Sequence, residues 1–250
     1  LWLCFLTSAL IYGLMALWFP LIPHADRAPA GDIRTFVPTP VGGLIYAVLL
    51  IALFALLMAA ARRGQQYGLG ARPLPIILAG SFLLALPLLF AYPINATDVF
   101  SYFIRGRITG VYGDNPYVAT PVTFIGDPFM PLAGEWAGAT SPYGPLWEIV
   151  AAGVTAPAGE NLAAGVALLK GLAVICFLIA GVFIWLSLPE GSSRTACLLL
   201  WAWNPVLLLT FALNGHNDAL MLAWLTAGYW VGRRGRRSSR VSTISVFWPK

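Results

Sequence analysis

The stretch Val41–Arg63, VGGLIYAVLLIALFALLMAAARR, decides the fold class. No charge interrupts it from Val41 to Ala61, and it stops at the adjacent Arg62 and Arg63. A helix needs about 20 apolar residues to cross a hydrocarbon layer of ~30 Å, and this run supplies them. Further apolar runs occupy about 1–22, 74–93, 165–188, 197–213 and 219–232, and a shorter one covers 145–158. Hydrophobic residues make up 59% of the chain and charged residues 10%, against roughly 25% charged in a soluble domain. The ten-residue alternating segments of a membrane barrel are absent. The sequence therefore predicts an all-α, polytopic helical membrane protein with six to seven embedded helices. Residues 1–232 form the membrane module, with a long loop over 94–144, and 233–250 form a basic, disordered tail.

Charge placement sets orientation and excludes other classes. The net charge of +5 comes mainly from clusters beside apolar runs: Arg62 and Arg63, then Arg233, Arg234, Arg236, Arg237 and Arg240. That is the pattern of positive loops on the cytoplasmic side, so no nucleic-acid partner is expected. With Arg62, Arg63 and Arg72 inside, the long loop lies outside. Counting simple spans onward then puts Arg233–Arg240 outside as well, against the same rule. Either the segment 145–158 or a neighbour does not cross, or the tail misleads. Cys4, Cys176 and Cys197 have no metal-ligand spacing, and neither a metal nor a cofactor is expected. Lys170, near one end of its apolar run, is expected to snorkel to the interface. The chain starts at Leu1 inside an apolar run and ends in SSRVSTISVFWPK. It is expected to be part of a longer protein, and its first run to be a spanning helix rather than a signal peptide.

The loop from Asn95 to Trp147 gathers charges that the rest of the chain lacks: Asp98, Arg105, Arg107, Asp114, Asp127 and Glu135. Its many aromatic residues argue against disorder. Thr97 is placed to cap a helix and Asp98 to face its positive end. Asp98–Arg107 predicts a short membrane-parallel helix on which Asp98, Tyr102 and Arg105, spaced i, i+4, i+7, share one face. The face reads either as a carboxylate at a cavity mouth with cations nearby, or as a capping acid with a helix-end ion pair. Asn115 and Tyr117 belong to the turn GDNPY, and Tyr143 to the turn TSPYGP. Asn214, His216, Asn217 and Asp218 cluster around Gly215 between two apolar runs, where polar groups mark either a cavity or a surface turn. Glu148, just inside an apolar segment, needs a partner or water.

Taken together, TDVFSYFIRGR, GDNPY, SPYGPLW and WNPVLLLTFALNGHNDALMLA resemble the GT-C superfamily of membrane glycosyltransferases. They look most like the polyprenol-phosphate-mannose-dependent mannosyltransferases of family 87 and their alpha-1,6-mannosyltransferase relatives. The resemblance covers about residues 74–232. It implies Asp98 as the catalytic base in the first large outer loop. It also implies a polyprenyl-phosphate sugar donor, usually carrying mannose, and transfer with inversion to a glycan or glycolipid acceptor. The active site would lie on the outer face of a bacterial plasma membrane. Arg105, Arg107 and His216 are then candidates for the phosphate. Tyr102, Asn115, Tyr117, Tyr143, Trp147, Asn217 and Asp218 are candidates for the sugar pocket and its surroundings. The same polar cavity would also suit a transporter or flippase of lipid-linked sugars, or a truncated module without activity.

Overall fold

The computed structural model describes residues 1–24, 31–70 and 72–247, with side chains described for all of these except 192 and 235–247. Ten α-helices follow in order: α1 Trp2–Trp18, α2 Ile33–Phe36, α3 Pro40–Tyr67, α4 Pro73–Leu89, α5 Asp98–Gly110, α6 Pro145–Thr155, α7 Leu162–Ser187, α8 Ser192–Ala202, α9 Pro205–Leu208 and α10 Asp218–Phe247. Among the described residues there is no strand; a single bridge pairs Pro20 with Ala91. The protein is an all-α helical membrane protein. Three helical stretches are long and apolar enough to cross a bilayer: Pro40–Tyr67, Leu162–Ser187 and the composite Ser193–Leu213. Two shorter apolar helices, Trp2–Trp18 and Pro73–Leu89, pack beside them.

Proline and asparagine set the boundaries. Pro40, Pro73, Pro145 and Pro205 each stand at the start of a helix, where a missing N–H costs nothing. Asn204 interrupts the composite span by accepting from the backbone of Val206 and Leu207, and a π turn at Leu209–Leu213 ends it. α10 continues as backbone to Phe247, beyond the segment expected over 219–232. The side chains of the basic tail beyond Arg234 lie outside the described residues.

The bundle has two chemically different ends. At one, the close of α3 meets α8, where a Cβ on Gly64 would fall 3.3 Å from Thr195 in the first turn and 2.6 Å from Leu199. Arg62 and Arg63 therefore stand near Arg194, and Arg233 donates to the Ser187 carbonyl at the end of α7. The other end carries the long loop. There α6 lies against α5 along its length: Trp147 packs edge-on to Tyr102 at 5.0 Å, and Gly159 just beyond α6 accepts from Arg107 at 2.6 Å. The chain thus enters and leaves α6 at the same end of the bundle. The described clusters Arg62–Arg63 and Arg233–Arg234 stand at the opposite end.

α5 is a separate short helix, as its sequence predicts, but it is wedged into the bundle rather than laid on a surface. Val99, Phe100, Phe103 and Ile104 are buried. Gly106 permits the approach of α6, since a Cβ there would meet Thr155 Oγ1 at 2.5 Å and the Ala151 carbonyl at 2.8 Å. Small residues serve this purpose between membrane helices.

Lys170 corrects the snorkelling expectation. It is fully buried (0% exposed), and its Nζ donates to the carbonyls of Leu88, Leu89 and Ala91 at 2.7, 3.2 and 2.6 Å. Helix ends leave carbonyls without partners, and lysine offers one N–H to each of these three. Gly215 packs on the same lysine: its φ is +69°, and a Cβ would lie 2.8 Å from Lys170 Cγ. The Leu88 carbonyl also accepts from the Ala91 N–H, so Lys170→Met should leave the Leu89 and Ala91 carbonyls without a donor and lower stability by roughly 2–4 kcal/mol. Thermal unfolding of the detergent-solubilised protein measures this; an unchanged midpoint would show that water serves the carbonyls equally well.

Candidate active site

The first turns of α5 face the segment 136–143 across a cavity of about 260 Å³. Asp98, Ser101 and Arg105 line one wall, and Trp136, Ala139, Thr140, Pro142 and Tyr143 line the other. Thr97 occupies the N-cap position without a side-chain capping bond. Asp98 is half-buried, and among the described residues no hydrogen bond or ion pair holds its carboxylate. Its charge is nevertheless felt. Burial first, then the Tyr143 phenol and Asp98, push the Tyr102 phenol well above its ordinary value. Burial and then Asp98 push Tyr143 up to about 12. Both phenols therefore stay protonated as donors at neutral pH.

Arg105 is anchored but not neutralised. One guanidinium nitrogen donates to the Ala139 carbonyl at 3.1 Å, and the residue is 3% exposed. Burial lowers its pKa, while the nearby Glu148 charge acts in the opposite sense. Glu148 Oε1 accepts from the Ser141 hydroxyl, which in turn receives the Tyr143 backbone N–H at 3.1 Å. Glu148 Oε2 is buried with no hydrogen-bond partner among the described residues. Burial raises the Glu148 pKa, against the lowering effects of Ser141 and Arg105. The turn before α6 is thereby tied to α6 beside the arginine.

The remaining sequence candidates divide. Asn217 comes to the site: its Oδ1 accepts from the Tyr102 hydroxyl at 3.2 Å. His216 and Asp218 sit on the same turn, with Nδ1 and Oδ2 3.9 Å apart, and Asp218 is largely exposed. Asn214 Oδ1 accepts from the Asn95 backbone at 3.3 Å, so the turn at 214–218 shares an end with Asp98. Asn115 is occupied locally, accepting from the Tyr117 backbone. The Tyr117 hydroxyl donates to the Tyr143 carbonyl at 2.7 Å and straps one predicted turn onto the other. Trp147 lies beneath the cavity as packing for Tyr102 rather than in its lining. Arg107 does not join Arg105. Its Nε donates to Asp127 at 2.7 Å with both side chains buried, its guanidinium lies 4.9 Å from the Phe129 ring centre, and Tyr112 donates to the same carboxylate. Arg107 thus frames the interior of the loop, away from the cavity that Asp98 and Arg105 line. Trp136, Ser101 and Thr140 escaped the sequence reading because they lie in irregular segments or on a helix flank without a charge to mark them. No cluster of three or more metal-binding side chains occurs among the described residues.

The family described as "Alpha-(1->6)-mannopyranosyltransferase, N-terminal domain" matches residues 2–247, and the chain belongs to that family. It is 26% identical over 166 residues to Alpha-(1->6)-mannopyranosyltransferase A of Corynebacterium glutamicum, covering 66% of this chain and 34% of that protein. It is 32% identical over 160 residues to a probable alpha-(1->6)-mannopyranosyltransferase of Mycolicibacterium smegmatis, covering 61% and 28%. It is 30% identical over 165 residues to Alpha-(1->6)-mannopyranosyltransferase A of Mycobacterium tuberculosis, covering 64% and 31%. The chain spans about a third of the length of the curated relatives it matches. No solved structure matches.

The Glu148 environment has a pH signature. Its folded pKa is raised, so the folded protein holds this proton more tightly than the unfolded chain does. The resulting stability is fully present below the ordinary carboxylate value and is lost as pH rises through the raised folded value. Glu148→Gln should flatten that decline, as read from thermal midpoints in detergent between about pH 4 and pH 8. A slope identical to that of the unsubstituted protein would remove Glu148 as its source.

Proposed function

We propose that this chain is the membrane-embedded, catalytic-loop portion of a mannosyltransferase that takes mannose from a polyprenyl-phosphate donor and transfers it, with inversion, to a glycan or glycolipid acceptor. The observation that carries the reading is the shared cavity of Asp98 and Arg105, with an unpartnered carboxylate and an anchored guanidinium on one helix face. Family membership and the names of the curated relatives support the sugar and the reaction class.

The residues suit the chemistry. An acceptor hydroxyl attacks the anomeric carbon as the bond from that carbon to the phosphate oxygen breaks, and polyprenyl phosphate leaves with the electron pair. Asp98 takes the hydroxyl proton as the new glycosidic bond forms, a contribution of typically ~10²–10⁴-fold. One base on the face opposite the leaving group gives inversion. Arg105 holds the phosphate and offsets the charge that builds on it; guanidinium forks match phosphate oxygens well. The protonated Tyr102 and Tyr143 orient hydroxyls, and the half-open Trp136 offers a flat apolar face to a sugar ring.

We also propose that the chain crosses the membrane several times with this cavity on the outer face. The support is the separation of charge: Arg62, Arg63, Arg194, Arg233 and Arg234 stand at the end opposite the cavity, where the positive-inside rule puts the cytoplasm. A membrane-impermeant thiol reagent applied to intact cells should label Val118→Cys at the exposed loop tip and spare Arg63→Cys. The reverse labelling pattern would invert the orientation.

In membranes containing the full-length protein and labelled polyprenyl-phosphomannose, Asp98→Asn should lower turnover by about 10²–10⁴-fold with donor binding retained. Arg105→Gln should weaken donor binding as well as turnover, because the phosphate contact precedes the chemical step. Undiminished transfer by Asp98→Asn would refute the assignment. Movement of intact donor across the bilayer without cleavage would replace the transferase reading with a transporter.

A further inference from the structure

At the arginine end of the bundle, the last turn of α7 and the middle of α10 enclose two joined cavities. One, of about 180 Å³, is bounded by Ser187, Trp230, Arg233 and Arg234. The other, of about 270 Å³, runs up between the helices along Phe183, Leu225 and Tyr229. Ser187, Leu188 and Arg233 line both. The first cavity is cationic and the second is apolar, and they meet at one arginine.

We propose that this pair of cavities binds one anionic glycerophospholipid, with its phosphate between Arg233 and Arg234 and an acyl chain in the groove between α7 and α10. Four observations support a built site rather than a diffuse basic surface. Arg233 is fixed by donating to the Ser187 carbonyl, and Arg234 is fixed over the Trp230 ring at 4.5 Å. Among the described residues no carboxylate lies within ion-pair distance of either. The Ser187 hydroxyl is buried without a hydrogen-bond partner, and it lines both cavities. Trp185, Tyr229 and Trp230 ring the same level, with Arg194 stacked 4.1 Å from Trp185, as aromatic residues do where lipid headgroups begin.

The chemistry selects the ligand. A phosphodiester accepts from guanidinium forks, and the Ser187 hydroxyl can donate to one of its oxygens or ester groups. A zwitterionic headgroup brings a quaternary amine toward two arginines, which disfavours it. A free phosphate would leave the apolar groove unfilled. The proposal is independent of the transfer reaction, because it concerns the end of the bundle opposite Asp98.

The test is native mass spectrometry of the full chain in detergent with phosphatidylglycerol, phosphatidylcholine or inorganic phosphate added. Phosphatidylglycerol should be retained over phosphatidylcholine, and excess inorganic phosphate should fail to displace it. The double variant Arg233→Gln, Arg234→Gln should lose affinity by about twenty-fivefold, at roughly fivefold per arginine. Leu225→Trp keeps both charges and fills the groove, so it should weaken retention even if the double variant folds poorly. Arg62→Gln with Arg63→Gln, an exposed pair at the same end, should leave retention unchanged. Equal binding of both lipids, full displacement by phosphate, unaltered retention in Leu225→Trp, or an equal loss in the Arg62 and Arg63 variant would each overturn the proposal.

Discussion

An α-helix that ends away from water must find donors for its last carbonyls. In α4 those donors come from a lysine 81 residues away in sequence from Leu89. The side chain of Lys170 reaches from α7 to the carbonyls of Leu88, Leu89 and Ala91 at and just beyond the close of α4, and the chain turns from there into the segment that ends at Asp98. Gly215 rests against the aliphatic stem of the same lysine and approaches Val99 of α5. One side chain thus sets the distances among α4, the start of α5 and the turn that carries His216, Asn217 and Asp218. The position of Asp98 follows from this junction more than from any contact of its own.

Above the junction, the cavity walls are held by short links between sequence-distant pieces. Tyr102 reaches Asn217, Arg105 reaches Ala139, Ser141 reaches Glu148 and Tyr117 reaches Tyr143. None of these links uses the Asp98 carboxylate. The links therefore leave the carboxylate open to the cavity, while the arginine keeps unused donors. Buried polar networks of this kind fix one arrangement only when their members are satisfied, and the unpartnered Glu148 oxygen marks the place where the network is incomplete.

The helices were legible because apolar length, proline and arginine are local signals. Val41–Ala61 extends in the structure to Pro40–Tyr67, since Arg62, Arg63, Gln65 and Gln66 are compatible with a helix that has left the hydrocarbon layer. The shared face of Asp98, Tyr102 and Arg105 was legible from helical period, and α5 bears it. Arg107 was not, because its partner Asp127 lies across a turn-rich stretch with no periodicity. The sequence predicts an interfacial Lys170 because a window of sequence shows distance from a helix end, not the carbonyls of another helix. The end of the bundle at which Arg233 and Arg234 stand could not be counted from charges alone; it depends on α6 lying back against α5, and Gly106, which permits this, is informative only once the neighbour is known.

The Arg107–Asp127 pair bears on how ordered the loop is before anything binds to it. Phe103 and Phe129 stand 5.4 Å apart, Tyr112 stacks on Phe124 at 4.3 Å, and the ion pair sits among these rings. The loop gathers its own rings and seats them on the bundle, where Phe103 packs against Gly165 of α7. A segment ordered in advance does not lose its conformational freedom at the moment of binding, so less of the interaction with a ligand is consumed in arranging the protein. Selectivity can then rest on the shape of the cavity instead of on closure around the ligand.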